Sequence, residues 1–193
     1  MQLVQIEDVI PKMYQDQLEA ETSALAWFFH KETARPGLKF SNNYGGFFHM
    51  AFDITSHAPV ISTINGLLVP LLFVATDKAS VKFHELIRIR LGMFPRTMLD
   101  APYHNPHVDF YEPHIVGLYY VNDSDGDTVV FNETFETVTI EQSAERANEG
   151  SFTELARISP KKGRMVFFDG KHYHASMHPK EHAHRVVVTF DFR

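Results

Sequence analysis

The sequence has no cysteine and no long apolar run, and each absence excludes a class of protein. Without cysteine, the 193-residue chain has no disulfide, no zinc–thiolate site and no thiol nucleophile, which is compatible with a reducing compartment. The longest apolar run, GLLVPLLFVA at residues 66–75, is about half the length that a membrane helix needs. The first residues also lack the basic segment and apolar core of a signal peptide. We therefore expect a cytoplasmic protein with no membrane partner.

Positive charge is also scarce. The chain has 18 lysines and arginines against 24 aspartates and glutamates, which gives a formal net charge of −6. Such a balance provides no general electrostatic attraction for nucleic acid, and we expect no nucleic-acid partner. The length and the 44% of hydrophobic residues suit one domain over residues 1–193 with a real core. Nothing in the sequence indicates an oligomeric state.

The first half of the chain carries helical patterns. Residues 6–32 have good helix formers and apolar residues at roughly helical spacing, interrupted at Pro11. The segment SVKFHELIRIRLG predicts a second helix that begins at a Ser80 cap and ends at Gly92. We therefore predict that residues 1–96 form a mainly helical support region.

The second half has the sequence pattern of a β protein. Short runs rich in Val, Ile, Phe, Tyr and Thr are separated by the turn clusters DSDGD, SPKKG and DGK. They occupy residues 114–122, 127–140, 152–158, 163–168, 172–177 and 185–192. The polar segment 141–151 is expected to be a helical or mobile excursion between strands. The pattern predicts an antiparallel barrel or jelly roll over residues 97–193, and so a mainly β fold with N-terminal helices (α+β).

Two possible metal ligands, His107 and Asp109, stand just before the first of these runs. An H-x-D triplet is a weak signal in a chain with twelve histidines. On an extended backbone, however, residues i and i+2 point to the same side and can reach one ion. A third ligand must come from elsewhere in the chain. The histidine-rich stretch at residues 172–184 offers His172, His174, His178, His182 and His184, although it could equally be a surface turn.

Arg185 opens the last predicted strand, whose VVVTF run indicates burial on both faces. A buried guanidinium without a partner is costly, so this side chain needs an anion. Its planar fork suits a carboxylate.

Taken in order, HVD, GLYYVNDSDGDTVVF, GRMVFFDGKHYHAS and RVVVTF resemble the Fe(II)/2-oxoglutarate-dependent dioxygenases, particularly the prolyl 4-hydroxylase-like branch. The resemblance covers residues 97–193 and implies a double-stranded β-helix, the cupin-like jelly roll. It implies iron held by His107, Asp109 and His174, with Arg185 binding the C5 carboxylate of 2-oxoglutarate. The spacing between His174 and Arg185 is typical of the family, which leaves His172 as the second choice.

Two more assignments follow from the same resemblance. The YYVN segment is similar to a family strand in which a tyrosine, here Tyr120, often contacts the same carboxylate; it could also simply pack inside the barrel. In the DGDT turn, Gly126 and Thr128 are expected to be structural. The implied entrance to the site is formed by residues 91–106, 41–48 and 141–151, whose aromatic side chains include Tyr44, Phe94 and Tyr103.

The implied activity is hydroxylation of a small-molecule or peptide substrate, with prolyl residues as the nearest analogy. O2 and 2-oxoglutarate would be consumed, and succinate and CO2 released. Asp109 favours hydroxylation, since related halogenases carry a small residue there. Three alternatives stay open: a nucleic-acid demethylase of the same superfamily, a non-catalytic cupin-like metal-binding module, and a zinc hydrolase. The demethylases commonly carry a second arginine six residues after the first, where this chain has Asp191.

Overall fold

The computed structural model describes residues 1–31, 45–56, 60–98 and 103–193, with three helices and eleven strands in these ranges. The helices are α1 (Lys12–Ser23), α2 (Asn65–Ala79) and α3 (Ile140–Glu149). The strands are β1 (Val4–Ile6), β2 (Phe28–His30), β3 (Gly46–Asp53), β4 (Val60–Ile61), β5 (Leu86–Pro95), β6 (Ile115–Tyr120), β7 (Thr128–Thr134), β8 (Glu154–Ile158), β9 (Met165–Asp169), β10 (His172–Ser176) and β11 (His184–Phe192). Tyr44, which we placed at the entrance, lies outside the described residues.

The strands form two antiparallel sheets. The major sheet has the order β1-β9-β6-β11-β5-β3-β2, with β4 paired to β3, and the minor sheet has the order β10-β7-β8. Apolar side chains from both sheets, including Val116 and Val166 of the major sheet and Val130 and Ile158 of the minor sheet, form one buried cluster between them. The fold is therefore the mainly β jelly roll that the strand pattern predicts.

The helices α1 and α2 cover the opposite face of the major sheet. Leu18 of α1 and Leu68, Leu71 and Leu72 of α2 are at most 1% exposed and belong to one cluster with the outward side chains of β5, β6, β9 and β11. Along β11, successive side chains alternate between this cluster and the interior of the jelly roll. The strand is thus buried on both faces, as its apolar run predicts.

The predicted helix from Ser80 to Gly92 is wrong. The helix α2 lies upstream, in the apolar run, and Ser80 is its C-cap with a left-handed backbone (φ 53°, ψ 34°). Residues 86–95 form β5, in which Ile87, Ile89 and Leu91 are buried among apolar neighbours. The period of two in LIRIRL decides the structure, because only a strand puts alternate residues on opposite faces.

The mainly helical region predicted for residues 1–96 is also incorrect, since its described part contains two helices and five strands. All five strands belong to the major sheet, in which β1 pairs with β9, β5 pairs with β11, and β3 continues the sheet beside β5. The strand predictions beyond residue 97 are confirmed, except that the run 127–140 ends as a strand at Thr134. The polar segment 141–151 is largely α3, which begins with a capping box between Thr139 and Gln142. No helix in the described ranges is long and apolar enough to cross a bilayer.

The turn at Gly126 ties the β6–β7 connection to the segment that leads into β11. A Cβ at Gly126 would lie 2.6 Å from the Met177 carbonyl oxygen and 2.9 Å from the Pro179 nitrogen. Next to it, the Asp125 carboxylate accepts hydrogen bonds from the backbone N–H groups of Lys180 and Glu181, at 2.8 and 2.9 Å. Gly126 is therefore required by a close backbone approach.

We expect Gly126→Ala to lower the free energy of unfolding by about 1–3 kcal/mol, because backbone atoms cannot move aside as a side chain can. The matched control is Gly66→Ala in α2, where an added Cβ would meet no atom within 4 Å. Urea unfolding followed by circular dichroism measures both variants. Equal stability of the two variants would contradict the close approach at Gly126.

Candidate metal centre

A pair of backbone hydrogen bonds brings His107 and His174 together. The His107 N–H donates to the His174 carbonyl at 3.0 Å, and the His174 N–H donates to the His107 carbonyl at 2.9 Å. This isolated antiparallel bridge attaches the segment before β6 to β10 of the minor sheet. Directly opposed residues point to the same face, and the two imidazole rings accordingly lie with their centroids 4.5 Å apart.

Asp109 completes a group of three possible metal ligands. One ligand atom each from His107, Asp109 and His174 lies within 4.8 Å of the others. Both histidines place Nδ1 near a backbone carbonyl, at 3.2 Å from Asn105 and 3.3 Å from His172. With the proton on Nδ1, the Nε2 atom of each imidazole keeps its lone pair for a metal. Burial lowers the pKa of His107 to about 3, which keeps that ring neutral as a ligand must be.

The two carboxylate oxygens of Asp109 have different surroundings. Oδ1 accepts a hydrogen bond from Nη2 of Arg88, and Nη2 of Arg90 lies 3.5 Å away. Oδ2 is buried, has no hydrogen-bond partner among the described residues, and lies 3.3 Å from Nε2 of His174. Burial favours the neutral acid, but Arg88, His174 and Arg90 together hold the pKa of Asp109 well below its ordinary value. A buried carboxylate oxygen beside two imidazole rings fits a two-histidine, one-carboxylate metal site.

Arg88 also binds a second buried acid, Asp191. Its Nε donates to Oδ2 of Asp191 at 2.9 Å, and Asp191 is fully buried. Burial, with the charge of Asp109 nearby, raises the pKa of Asp191 to about 7. We did not predict any role for Arg88 or Arg90 from the sequence. The available signal was the alternation in LIRIRL, which sets both arginines on the face opposite to Ile87 and Ile89.

Arg185 lies in the same pocket and is 0% exposed. Its Nη2 donates to the Thr128 hydroxyl at 2.6 Å, and its guanidinium lies 5.5 Å from the ring centroids of both Phe94 and Tyr120. In the described part of the chain, Nε and Nη1 have no hydrogen-bond acceptor. A buried cation with two unused donors fits an anionic ligand such as a carboxylate.

Tyr120 and Thr128 lie beside that guanidinium. The Tyr120 hydroxyl donates to Oγ1 of Thr128 at 2.7 Å, so that one hydroxyl group links the tyrosine to the arginine. The structure thus places Tyr120 next to Arg185, with which the resemblance implies that it shares a carboxylate ligand. Thr128, which we expected to be purely structural, also makes polar contacts in the pocket.

The other histidines of the C-terminal stretch do not join the three ligands. Nδ1 of His172 lies 2.8 Å from the Phe131 carbonyl, and His182 is paired with Asp125 at 2.9 Å. His178 stacks on His104, which lines the pocket, with ring centroids 4.4 Å apart. Burial lowers the pKa of His104 well below its ordinary value.

Residues 93–191, just over half of the chain, match the sequence profile of the 2OG-Fe(II) oxygenase family. No curated protein matches the sequence.

Solved structures share the fold at low sequence identity. The alpha-ketoglutarate-dependent epimerase SnoN from nogalamycin biosynthesis is 11% identical with a TM-score of 0.66, over 98% of this chain and 77% of that chain. HygX from Streptomyces hygroscopicus, solved with nickel and 2-oxoglutarate bound, is 12% identical with a TM-score of 0.56, over 98% and 82%. A prolyl hydroxylase from Trichoplax adhaerens, in complex with a hypoxia-inducible-factor peptide, is 11% identical with a TM-score of 0.56, over 98% and 82%.

We expect His174→Ala to weaken Ni(II) binding by more than about 100-fold, because it removes one of three ligands. His172→Ala is the matched control on the same strand and should retain the affinity of the parent protein. Isothermal titration of metal-stripped protein under argon measures both variants. A larger loss in His172→Ala than in His174→Ala would overturn the choice of ligand.

Arg88→Met should weaken the same Ni(II) affinity by about 10- to 100-fold while leaving all three ligands in place, because Arg88 orients the Asp109 carboxylate. Asp191→Asn serves as a second variant, since the amide oxygen can still accept the hydrogen bond from Arg88, and it should lose less. Unchanged metal affinity in a folded Arg88→Met variant would show that Asp109 is oriented by other contacts.

Proposed function

The chain belongs to the 2OG-Fe(II) oxygenase family, and from this premise we propose that His107, Asp109 and His174 hold Fe(II) while Arg185 holds the C5 carboxylate of 2-oxoglutarate. The observation that carries the proposal is a three-ligand group within 4.8 Å in the same pocket as a buried, unneutralised arginine. Fe(II), 2-oxoglutarate and O2 are the reactants that the family uses. When bound together they supply the oxidation of a substrate C–H bond, with release of succinate and CO2.

Each residue of the proposed site has its own role. His107 and His174 present neutral imidazole nitrogens, and Asp109 supplies the single negative charge among the ligands. Arg185 orients the co-substrate through its unused donors, while the rings of Phe94 and Tyr120 exclude water from the guanidinium. Exclusion of water strengthens the interaction of this cation with a carboxylate. Thr128 fixes the rotamer of Arg185 through its hydroxyl.

The reaction that this site favours is hydroxylation of a small molecule or a peptide. Asp109 supports hydroxylation over halogenation because a carboxylate fills the coordination position that a halide would need. The structural relatives include an epimerase from an antibiotic pathway and a peptide-bound prolyl hydroxylase, so that both substrate classes occur on this fold. Fold likeness does not choose between them.

Two observations weigh against the alternative functions. A non-catalytic metal-binding module would have no use for a buried arginine with free donors, because burying such a charge is costly. In the nucleic-acid demethylase alternative, a basic residue is expected six positions after Arg185. That position is Asp191, which is fully buried and paired with Arg88.

Anaerobic addition of Fe(II) and 2-oxoglutarate to the metal-stripped protein should produce a visible charge-transfer band. Arg185→Met should raise the dissociation constant for 2-oxoglutarate by about 30-fold or more, since it removes a buried charge partner. The control is Arg157→Met, at an arginine whose side chain is 39% exposed and paired with Glu154. It should bind 2-oxoglutarate as the parent does.

Absence of the band in folded parent protein would refute the proposed function. A band whose 2-oxoglutarate dependence is the same in Arg185→Met would keep the metal site and reject Arg185 as the carboxylate partner.

A further inference from the structure

The paired strands β5 and β11 line the pocket along its length, with Arg185 at one end and Arg90 at the other. The strands pair in register, so that Phe94 lies opposite Arg185, Gly92 opposite Val187, and Arg90 opposite Thr189. All six residues line the pocket that also contains His107 and His174. Along an extended strand, positions 185 and 189 are about 13 Å apart. The side chains of Arg185 and Arg90 therefore extend from opposite ends of one pocket and can bind two different ligands.

The end at Arg90 lies beside the metal ligands. Nη2 of Arg90 is 3.5 Å from Oδ1 of Asp109, and its guanidinium lies 5.1 Å from the ring centroid of Phe48. The Arg90 side chain is 27% exposed, whereas Arg185 is 0% exposed. Arg90 is thus held in place by an aromatic ring and can be reached by a ligand that enters the pocket.

The charge of Arg90 is only partly neutralised by the chain. Arg88 makes the shorter contact to Asp109 and also binds Asp191, so that both buried acids already have a partner. Around the metal centre and the pocket, three arginines (Arg88, Arg90 and Arg185) face these two aspartates, which leaves at least one positive charge. Fe(II) adds two positive charges and 2-oxoglutarate adds two negative ones. At least one positive charge therefore remains when both are bound.

We propose that Arg90 is a substrate-binding residue and that the substrate is a small molecule carrying a carboxylate, which this guanidinium binds. The proposal rests on the proposed function, because it assigns 2-oxoglutarate to the Arg185 end. A guanidinium fork matches a carboxylate in geometry as well as in charge. The Thr189 hydroxyl, opposite Arg90 on β11, adds a polar group at the same end. A prolyl residue inside a peptide would present only neutral amides there.

The test compares carboxylic acids with their primary amides on the anaerobic Fe(II)–2-oxoglutarate complex. The probes are L-proline, L-leucine and phenylacetate, each beside L-prolinamide, L-leucinamide or phenylacetamide. Binding is read from the shift of the charge-transfer band, and stimulated succinate release is measured separately in air. At least one acid should bind about tenfold or more tightly than its amide, as expected for a charge-assisted contact.

Variants at Arg90 then test whether this residue causes the preference for the acid over the amide. At saturating Fe(II), Arg90→Gln should reduce the affinity for the acid to that for the amide while the dissociation constant for 2-oxoglutarate stays within about twofold. Arg90→Lys, which keeps the charge without the fork, should retain part of the preference. Arg157→Gln is the control for loss of an arginine outside the pocket.

Each other outcome overturns the inference. If no acid binds more tightly than its amide in the parent protein, the pocket does not select a carboxylate. If the preference persists in Arg90→Gln, another residue binds the anion. If Arg90→Gln weakens 2-oxoglutarate itself, Arg90 belongs to the co-substrate site. Failure of the proposed function is recognised separately, because the parent protein would then form no band.

Discussion

The pairing of β5 with β11 at the centre of the major sheet is the constraint on which both the core and the metal centre depend. Side chains alternate along each strand, so that Ile89 and Leu91 of β5, with Val188 and Phe190 of β11, face the helices. The alternate positions face the interior and carry the arginines. A slip of one residue in β5 would turn both of its arginines toward the helices. Apolar burial therefore fixes the register that assembles the site.

The charged side chains around the metal centre are costly to bury, so their presence needs an explanation other than stability. Removing an ion from water costs several kcal/mol even after the protein relaxes, and a buried ion pair is weak evidence for stability. Arg88 recovers part of the cost through two acids, Asp109 and Asp191. In the described part of the chain, Arg185 donates a hydrogen bond to the Thr128 hydroxyl and has no acidic partner within salt-bridge distance. A fold that needed stability alone would place apolar side chains at these positions, so a ligand is the better explanation for Arg185.

The β half could be predicted because its signals are local, and the resemblance to a known family indicated the three residues that the structure groups within 4.8 Å. The strand runs have clear turns between them, and HVD, His174 and Arg185 stand in ordered motifs. The segment 80–92 was misassigned because helix formers and a serine cap outweighed the period of two within LIRIRL. The alternation in LIRIRL puts Arg88 and Arg90 on one face of a strand, but an arginine on an interior face looks the same in sequence as one facing solvent. The Asp191 partner of Arg88 is 103 positions away along the chain.

The difference in exposure between the two pocket arginines explains how similar groups can bind different ligands. The strength of a charge interaction increases as water is excluded, so the fully buried Arg185 would bind an anion more tightly than an arginine in contact with solvent. Arg90 is 27% exposed and already shares Asp109, so that its interaction with a carboxylate is screened and weaker. A weaker contact suits a substrate that must leave as product after each turnover. A fully buried contact from which water is excluded, such as that at Arg185, suits a co-substrate that must be held in one orientation beside the metal.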